Sequence, residues 1–267
     1  MITITDNDIR DFWNENADTW SLLAKAGGDI YRDHLNTPEF IKELPAINGL
    51  VGLDVGCGDG HNTEILSSMG AFMTGIDISE KFTNIALKNS KTNIKYLTSN
   101  AIKTPFADNY FDFVTGFMSF MDVLDIKSLF VEINRILKPN GFIQFSISHP
   151  CFNPINRKNL KDKDGKVYAV ELSDYFKIDN VIIENWVFDN AEAFSSKKLN
   201  GFKIPRITRT LNTWFNAISE GGFYIEMLHE PIPLSSDIEK CPKLHNATVV
   251  AYFLHLRCRK LQTNEKN

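Results

Sequence analysis

The sequence predicts an α/β fold, a doubly wound and mostly parallel sheet, on two observations. Short apolar runs alternate with segments of helical periodicity between about residues 50 and 148, the order that a βα series produces. The first of those runs, Val51-Gly52-Leu53-Asp54-Val55, ends in three glycines spaced two apart, Gly56, Gly58 and Gly60, directly before a helical pattern. A strand, a tight glycine turn and a helix N-terminus in succession mark the place where open α/β sheets bind ligands, outside the carboxyl ends of the strands.

Each element follows from local pattern. Residues 7–44 read as helical: Trp13, Ala17, Trp20 and Ala24 recur at helical spacing, aspartates and asparagines crowd the first turn, and Pro38 stands near the start of a further helix. Residues 51–55 form the first strand, and 61–69 a helix that Gly70 stops. Residues 71–77 form the second strand, after which Ser79 caps a helix carrying Phe82, Ile85 and Ala86. Residues 93–98 and 111–117 are the third and fourth strands. The helix 125–137 puts Leu129, Ile133, Ile136 and Leu137 on one face, Pro139-Asn140-Gly141 ends it, and 142–148 is the fifth strand. A last helix, about 207–219, carries Leu211, Trp214, Phe215 and Ile218 before Gly221-Gly222. Residues 223–229 and 247–257 then pair as the final strands. Right-handed crossovers join the parallel strands.

Residues 149–206 break this alternation. The run from Lys161 to Lys166 reads as a solvated hairpin tip. Tyr168, Tyr175, Phe176, Trp186 and Phe188 are interleaved with charges in the same segment. A long insertion beside the carboxyl ends of the strands is where a substrate lid would grow, and Tyr175 and Trp186 are its candidate substrate contacts. One domain is expected over 1–267: an N-terminal helical lid (1–45), a ligand-binding core (46–148), the insertion (149–206), and the last helix with two strands (207–267).

Composition narrows the function classes. Of 267 residues, 43% are hydrophobic and 23% charged, ordinary for a globular protein, and the net charge of −4 offers nothing to nucleic acid or an acidic membrane. No apolar run reaches the ~18 residues of a membrane span. The N-terminus lacks a basic region followed by an apolar core, so a cytoplasmic chain is expected. Cys57, Cys151, Cys241 and Cys258 are scattered, which suits reduced thiols better than disulfides or a zinc site. His245 and His255 show no metal-ligand spacing, and no metal is expected. The partners expected are a small-molecule substrate and, at most, a second copy of the chain as a homodimer.

Glycine spacing distinguishes between nucleotide ligands. A dinucleotide fingerprint needs Gly-x-Gly-x-x-Gly. Here the third position falls on His61, too bulky for a helix–sheet crossing. Asp77, at the end of the second run in Gly75-Ile76-Asp77-Ile78, places a carboxylate where it suits two ribose hydroxyls. The stretch Leu53-Asp54-Val55-Gly56-Cys57-Gly58-Asp59-Gly60 resembles the signature of class I S-adenosylmethionine-dependent methyltransferases. Gly75 to Ser79, Pro105-Phe106 with Phe111-Asp112, and Glu132 to Gly141 are similar to the later motifs of that family, in order.

The resemblance implies a seven-stranded Rossmann-like sheet of order 3-2-1-4-5-7-6 with the last strand antiparallel. It implies S-adenosyl-L-methionine as cofactor, S-adenosyl-L-homocysteine as product, and in-line methyl transfer to O or N of a small molecule. The alternative from another class is a catalytically silent cofactor-binding regulator. By the same resemblance Gly56, Cys57 and Gly58 would admit the methionine portion, and Asp54 and Asp59 would place negative charge near its ammonium, unless Asp54 braces the loop. Asp77 would hold the ribose, and Ile78 would pack on the adenine. Asn100-Ala101 matches an Asp-Ala step that contacts the adenine amino group, and departs from it by using Asn. Phe117 and Met118 would touch the cofactor's middle. Tyr31 and Arg32 would belong to a lid over the cofactor, with Trp20 beside the substrate; core packing and a surface charge are the competing readings. His149, after the fifth strand in Ser148-His149-Pro150-Cys151-Phe152, could take a proton from the substrate as a neutral imidazole, or else shape the loop. Asp122 is a second candidate base. Arg209 would pair with a substrate carboxylate or form a structural ion pair.

Overall fold

Thr5 starts the chain's first helix with a reciprocal pair of bonds. Its hydroxyl accepts from the Asp8 N–H, and the Asp8 carboxylate accepts from the Thr5 N–H, so two helix-terminal donors are satisfied at once. The computed structural model describes residues 4–90, 93–177, 181–186, 188 and 202–261. Residues 1–3, on which the absence of a leader was argued, and 189–201 of the insertion lie outside them.

Helix α1 (Asp6–Lys25) leads through a π-helical turn, Arg32–Asn36, into α2 (Thr37–Lys42). The βα series follows: β1 (Val51–Val55), α3 (His61–Ser68), β2 (Phe72–Asp77), α4 (Glu80–Asn89), β3 (Lys95–Thr98), β4 (Phe111–Phe117), α5 (Ile126–Ile136) and β5 (Leu137–Ser148). Ser79 caps α4 as expected, its hydroxyl accepting from the Phe82 N–H. Then come β6 (Asn156–Lys161), β7 (Val167–Ser173), β8 (Val181–Trp186) and β9 (Phe202–Ile207). The chain finishes with α6 (Leu211–Glu220), β10 (Phe223–His229), α7 (Ser235–Lys240), a 3-10 segment Pro242–Thr248 and β11 (Phe253–Lys260).

Seven strands form one sheet in the order β10-β11-β5-β4-β1-β2-β3. β11 runs antiparallel to both of its neighbours, and the other pairs are parallel. This is the expected order 3-2-1-4-5-7-6. Both faces are covered, as a parallel sheet requires. On one face Phe120, Leu129, Phe130, Ile133, Phe145 and Trp214 pack together from the turn after β4, α5, β5 and α6. On the other, Phe40, Leu66, Met73, Phe113 and Phe142 join α2 and α3 to the sheet. Among the described residues no helix is long and apolar enough to cross a membrane.

One difference is β5 itself, which begins at Leu137 rather than 142, so that Pro139-Asn140-Gly141 lies inside the strand instead of ending the helix; the others lie after it. The described part of the insertion forms two antiparallel hairpins, β6–β7 and β8–β9. The tip of the first is the predicted one: Asp162 accepts from the N–H groups of Asp164 and Lys166, both at 2.9 Å. The last long helix begins at Leu211 rather than 207, because Thr210 caps it and residues up to Ile207 belong to β9. The last strand begins at Phe253 rather than 247. The apolar residues before it reach the binding cavity instead of joining the sheet, and α7 with the 3-10 segment, interrupted by prolines, left no periodic signal.

Candidate active site

The carboxyl ends of β1, β2, β4 and β5 open into a cavity of about 690 Å³, within the usual range for small-molecule sites. Its floor is the turn after β1. Gly56 and Gly58 have φ of 70° and 54°, a region that favours glycine. A Cβ on Gly56 would stand 2.3 Å from the Ser119 Cβ, so packing demands that glycine. A Cβ on Gly58 would meet nothing, so its bare backbone faces the cavity. The helix–sheet crossing belongs to Gly60, whose Cβ would lie 2.6 Å from the Tyr96 hydroxyl. His61 is instead the exposed first residue of α3, on the cavity wall.

Asp77 closes this turn. Its two oxygens accept from the N–H groups of Gly58 at 2.9 Å and Ser79 at 2.8 Å. Burial raises its pKa to about 6 against the pull of those bonds, so at neutral pH it remains a carboxylate with lone pairs to spare for a ligand. Asp54 is different. Thr63 donates to one oxygen at 2.6 Å and Thr115 to the other at 3.0 Å, the side chain is 1% exposed, and it does not line the cavity. It braces β1 against α3 and β4, and the reading that it faces a ligand ammonium is corrected. Cys57 and Asp59 do line the cavity, and burial pushes the Cys57 thiol up, so it stays protonated.

The remaining walls come from several elements. Ile78, Asn100, Ala101, Phe117 and Met118 all line them. Met118 holds a φ of 54°, a conformation that costs a non-glycine residue roughly 1–3 kcal/mol. Its N–H donates to the Ser146 carbonyl, which fixes the tip of β4 against β5. The Asn100 carbonyl oxygen, the expected acceptor, is taken by the Ile102 N–H at 3.1 Å, and its amide donates to the Asp6 carboxylate at 2.7 Å. Asp6 therefore brings a charge into the wall that the motif lacked. Tyr31 and Arg32 line the cavity too, with the Tyr31 hydroxyl bound to the Lys243 carbonyl and the Arg32 guanidinium to Asp33 and the Ala24 carbonyl.

The substrate-side residues assemble less uniformly. Trp20 stacks on Trp186 with centroids 4.9 Å apart, and both line the cavity. Tyr175 lines it as well, its hydroxyl accepting from the Leu211 N–H. Arg209 reaches the wall, but its guanidinium donates to the carbonyls of Met121, Val123 and Leu124. It anchors the segment that carries Asp122 rather than waiting for a substrate carboxylate. His149 is 4% exposed and is not in the wall, although Ser148 and Pro150 are. Its Nδ1 accepts from the Cys151 N–H at 3.2 Å, so Nε2 holds the proton, 2.7 Å from Glu230. With both nitrogens engaged, and burial lowering its pKa, His149 has no lone pair for a substrate proton. This geometry fits the loop-shaping reading of His149 and not the base.

Asp122, half-buried, faces the cavity, and burial raises its pKa to about 8 despite the Arg209 charge. Arg157, which the sequence reading missed, also lines the cavity. Its Nη2 is buried without a hydrogen-bond partner, while Nε donates to the Phe152 carbonyl. Its guanidinium lies over the Tyr252 ring, 5.0 Å from the centroid. Phe152 and Tyr252 were missed as well: a residue's place in an insertion gives no sign of which way it faces, and Tyr252 was read as part of the last strand.

Residues 53–145 match the family model of a methyltransferase domain. The chain is 33% identical over 217 residues to a Lactococcus lactis subsp. lactis (strain IL1403) protein named demethylmenaquinone methyltransferase, covering 74% of this chain and 80% of that one. A solved S-adenosylmethionine dependent methyltransferase from Mesorhizobium loti, 25% identical, superposes with a TM-score of 0.68 over 84% of this chain and 96% of its own. The chain belongs to the class I S-adenosylmethionine-dependent methyltransferases. A putative S-adenosylmethionine dependent methyltransferase from Listeria monocytogenes, at 20% identity, shares the fold over 89% of this methyltransferase and 99% of its own chain, with a TM-score of 0.70. The cofactor is S-adenosyl-L-methionine. The site fits it: an open glycine backbone, a carboxylate at the β2 tip, and further carboxylates at Asp6 and Asp59 suit a ligand with a sulfonium, an ammonium and ribose hydroxyls.

Proposed function

We propose that this methyltransferase acts on a small ring compound bearing a hydroxyl, of the phenol or quinol class, with Asp122 as proton acceptor. The observation that carries the reading is the pairing, in one cavity, of a carboxylate with a raised pKa and a buried guanidinium donor, Arg157 Nη2, that lacks a partner. A donor left unpaired beside the cavity is one that a ligand oxygen could satisfy. The walls around it are aromatic, with Trp20, Phe152, Tyr175, Trp186 and Tyr252, as a flat apolar ring requires. The Lactococcus relative's name points to a quinone-type acceptor, which agrees with this chemistry.

When bound, S-adenosylmethionine supplies an electrophilic methyl carbon on a positive sulfonium. Gly58, Asp77 and Ile78 would hold it from the sheet side, with Ala101 and the Asp6–Asn100 pair at the far end. Asp6, paired with the Asn100 amide, adds a charged acceptor there beside the Asn100 carbonyl, which already takes the Ile102 N–H. That removes the one departure that had favoured a silent binder. Asp122 would accept the ring hydroxyl's proton, and Arg157 would steady the resulting oxygen anion. Aromatic walls and α1 exclude water, and orientation supplies much of the rate. The oxygen anion so held would be the acceptor atom; methylation at the ring carbon beside it would also require that carbon's own proton to leave, which restores the ring hydroxyl.

The test is a methyl-acceptor screen over phenols and hydroquinones, with amines and carboxylic acids as controls, read by mass and by the position of the new methyl group. Turnover confined to ring hydroxyl compounds is expected. Preferred turnover of an amine or a carboxylate would overturn the acceptor class. In parallel, S-adenosylhomocysteine at about 100 times its dissociation constant should add roughly 2.7 kcal/mol of stability to the wild type. It should add much less to Asp77→Ala.

A further inference from the structure

A second cluster of ionisable side chains forms where α2 meets the outer strands. Glu39 and Glu43 lie four residues apart, on α2 and at its C-cap, so they share one face. His229 and His255 are cross-strand partners of β10 and β11, with ring centroids 5.8 Å apart. Ligand atoms of Glu39, Glu43 and His229 all lie within 4.8 Å of one another.

Hydrogen bonding accounts for only part of this cluster: His229 Nδ1 lies 3.0 Å from Glu43 Oε1, which leaves His229 Nε2 as the lone-pair nitrogen. His229 Nε2, His255 Nδ1 and Glu43 Oε2 are buried and have no hydrogen-bond partner among the described residues, and His255 is fully buried. His229 Nε2 stands 3.6 Å from Glu39 Oε2, and His255 Nδ1 stands 3.6 Å from Glu43 Oε2. Both separations exceed hydrogen-bond length. Two ligands of a tetrahedral zinc ion, each about 2.0–2.2 Å from the metal, stand roughly 3.3–3.6 Å apart. The His255 tautomer sharpens the point. Its Nε2 lies 2.9 Å from Asn36 Oδ1, an acceptor whose own amide nitrogen donates to Ser146 Oγ. Nε2 thus holds the proton, and Nδ1 presents a lone pair to a carboxylate. Neighbouring cations do not resolve this. Lys42 contacts Glu39 at 3.2 Å on a side chain that is 70% exposed, and Arg257 donates to the Glu43 backbone carbonyl and to Gln144, not to the Glu43 carboxylate.

We propose that Glu39, Glu43 and His229, with His255 Nδ1 facing Glu43 at the buried end, form a site for a divalent first-row transition metal of the zinc class. Mixed imidazole and carboxylate donors suit such an ion. The His255 Nε2–H bond to Asn36 fixes that ring with its Nδ1 turned to Glu43. The ion would clamp α2, and with it the end of the N-terminal segment, to the outer strands. Asn36 carries the clamp inward: it lines the cofactor cavity, and the Ser146 hydroxyl it donates to also accepts from the Met118 N–H.

The test treats the whole chain with chelator, adds Zn2+, removes excess by gel filtration, and measures bound metal and thermal unfolding. One zinc per chain and a raised melting temperature are expected. Co2+ in its place should give visible d–d bands without a thiolate-to-cobalt band. His229→Ala and Glu39→Gln, both at partly exposed positions, should weaken Zn2+ roughly tenfold or more. Each should melt, metal-free, within a few degrees of the metal-free wild type, which separates lost binding from lost folding. A thiolate band, equal Zn2+ affinity in both variants, or no retained zinc and no shift in the wild type would each overturn the proposal. The last result would mean that protons alone satisfy the cluster.

Discussion

Asp122 is largely protonated at neutral pH, because burial lifts its pKa to about 8. The base is present above that value, so turnover should rise with pH through about 8. Asp122→Asn should lower kcat by roughly 10²- to 10⁴-fold and abolish that rise, with S-adenosylhomocysteine affinity unchanged. A kcat within a few-fold of wild type would remove Asp122 from proton transfer. Arg157→Gln should act on binding: losing a charged hydrogen bond of roughly 1.5–3 kcal/mol raises the acceptor KM about tenfold or more. His149→Ala should do neither. It leaves the Cys151 N–H and Glu230 without their partner, so the melting temperature falls while kcat stays within about tenfold of wild type. A collapse of kcat with unchanged melting would return His149 to the chemistry.

At the scale of elements, α1 is a strut between the cofactor end and the insertion. At its start Asp6 holds Asn100; Asn14 accepts from the Ser79 hydroxyl at the head of α4; Trp20 packs among Trp186, Phe188 and Phe202. The Asp6–Asn100 pair makes a reciprocal test. Asn100→Asp would set two carboxylates at hydrogen-bond distance, and Asp6→Asn would remove the charge, so each alone should weaken S-adenosylhomocysteine by roughly tenfold. The double exchange should restore most of it, since acceptor and donor are merely swapped. Binding by calorimetry decides: a double variant no better than the worse single one would show that the pair has no joint role. Arg209 acts at this scale as well, tying three carbonyls of the β4–α5 connection to the segment before α6.

At the scale of the molecule, three carboxyls that the fold desolvates share one electrostatic consequence. Burial raises Asp54 to about 7, Asp77 to about 6 and Asp122 to about 8. The folded state binds these protons more tightly than the unfolded chain, whose carboxyls titrate near about 3.9. Their contribution to stability is thus complete below about pH 4 and is lost as pH rises through about 6 to 8. The melting temperature of the cofactor-free protein should fall over that window, and Asp54→Asn should flatten the fall; a melting temperature that climbs with pH there would contradict the burial of these groups. The cofactor half was legible in the sequence because its determinants are local. The turn from Gly56 to Gly60, the Asp77 tip and the Ser79 cap each follow from a few consecutive residues, and alternating apolar runs order the strands around them. The acceptor half was only partly legible: Asp122 stood as the second candidate base and Trp20, Tyr175 and Trp186 reach the cavity, whereas Arg157 and Tyr252 gave no signal. Asp122, Arg157 and Tyr252 share a cavity through chain reversals far apart in sequence, and no periodicity records which way a loop side chain faces. His149 had the right position for chemistry, and a backbone N–H and Glu230 close it off. The sequence by itself determined the fold class, the strand order through family resemblance, and the cofactor. Only the tertiary structure decided which charged groups are left with unmet hydrogen-bonding capacity, because burial and partners, not residue type, set what a side chain can still do.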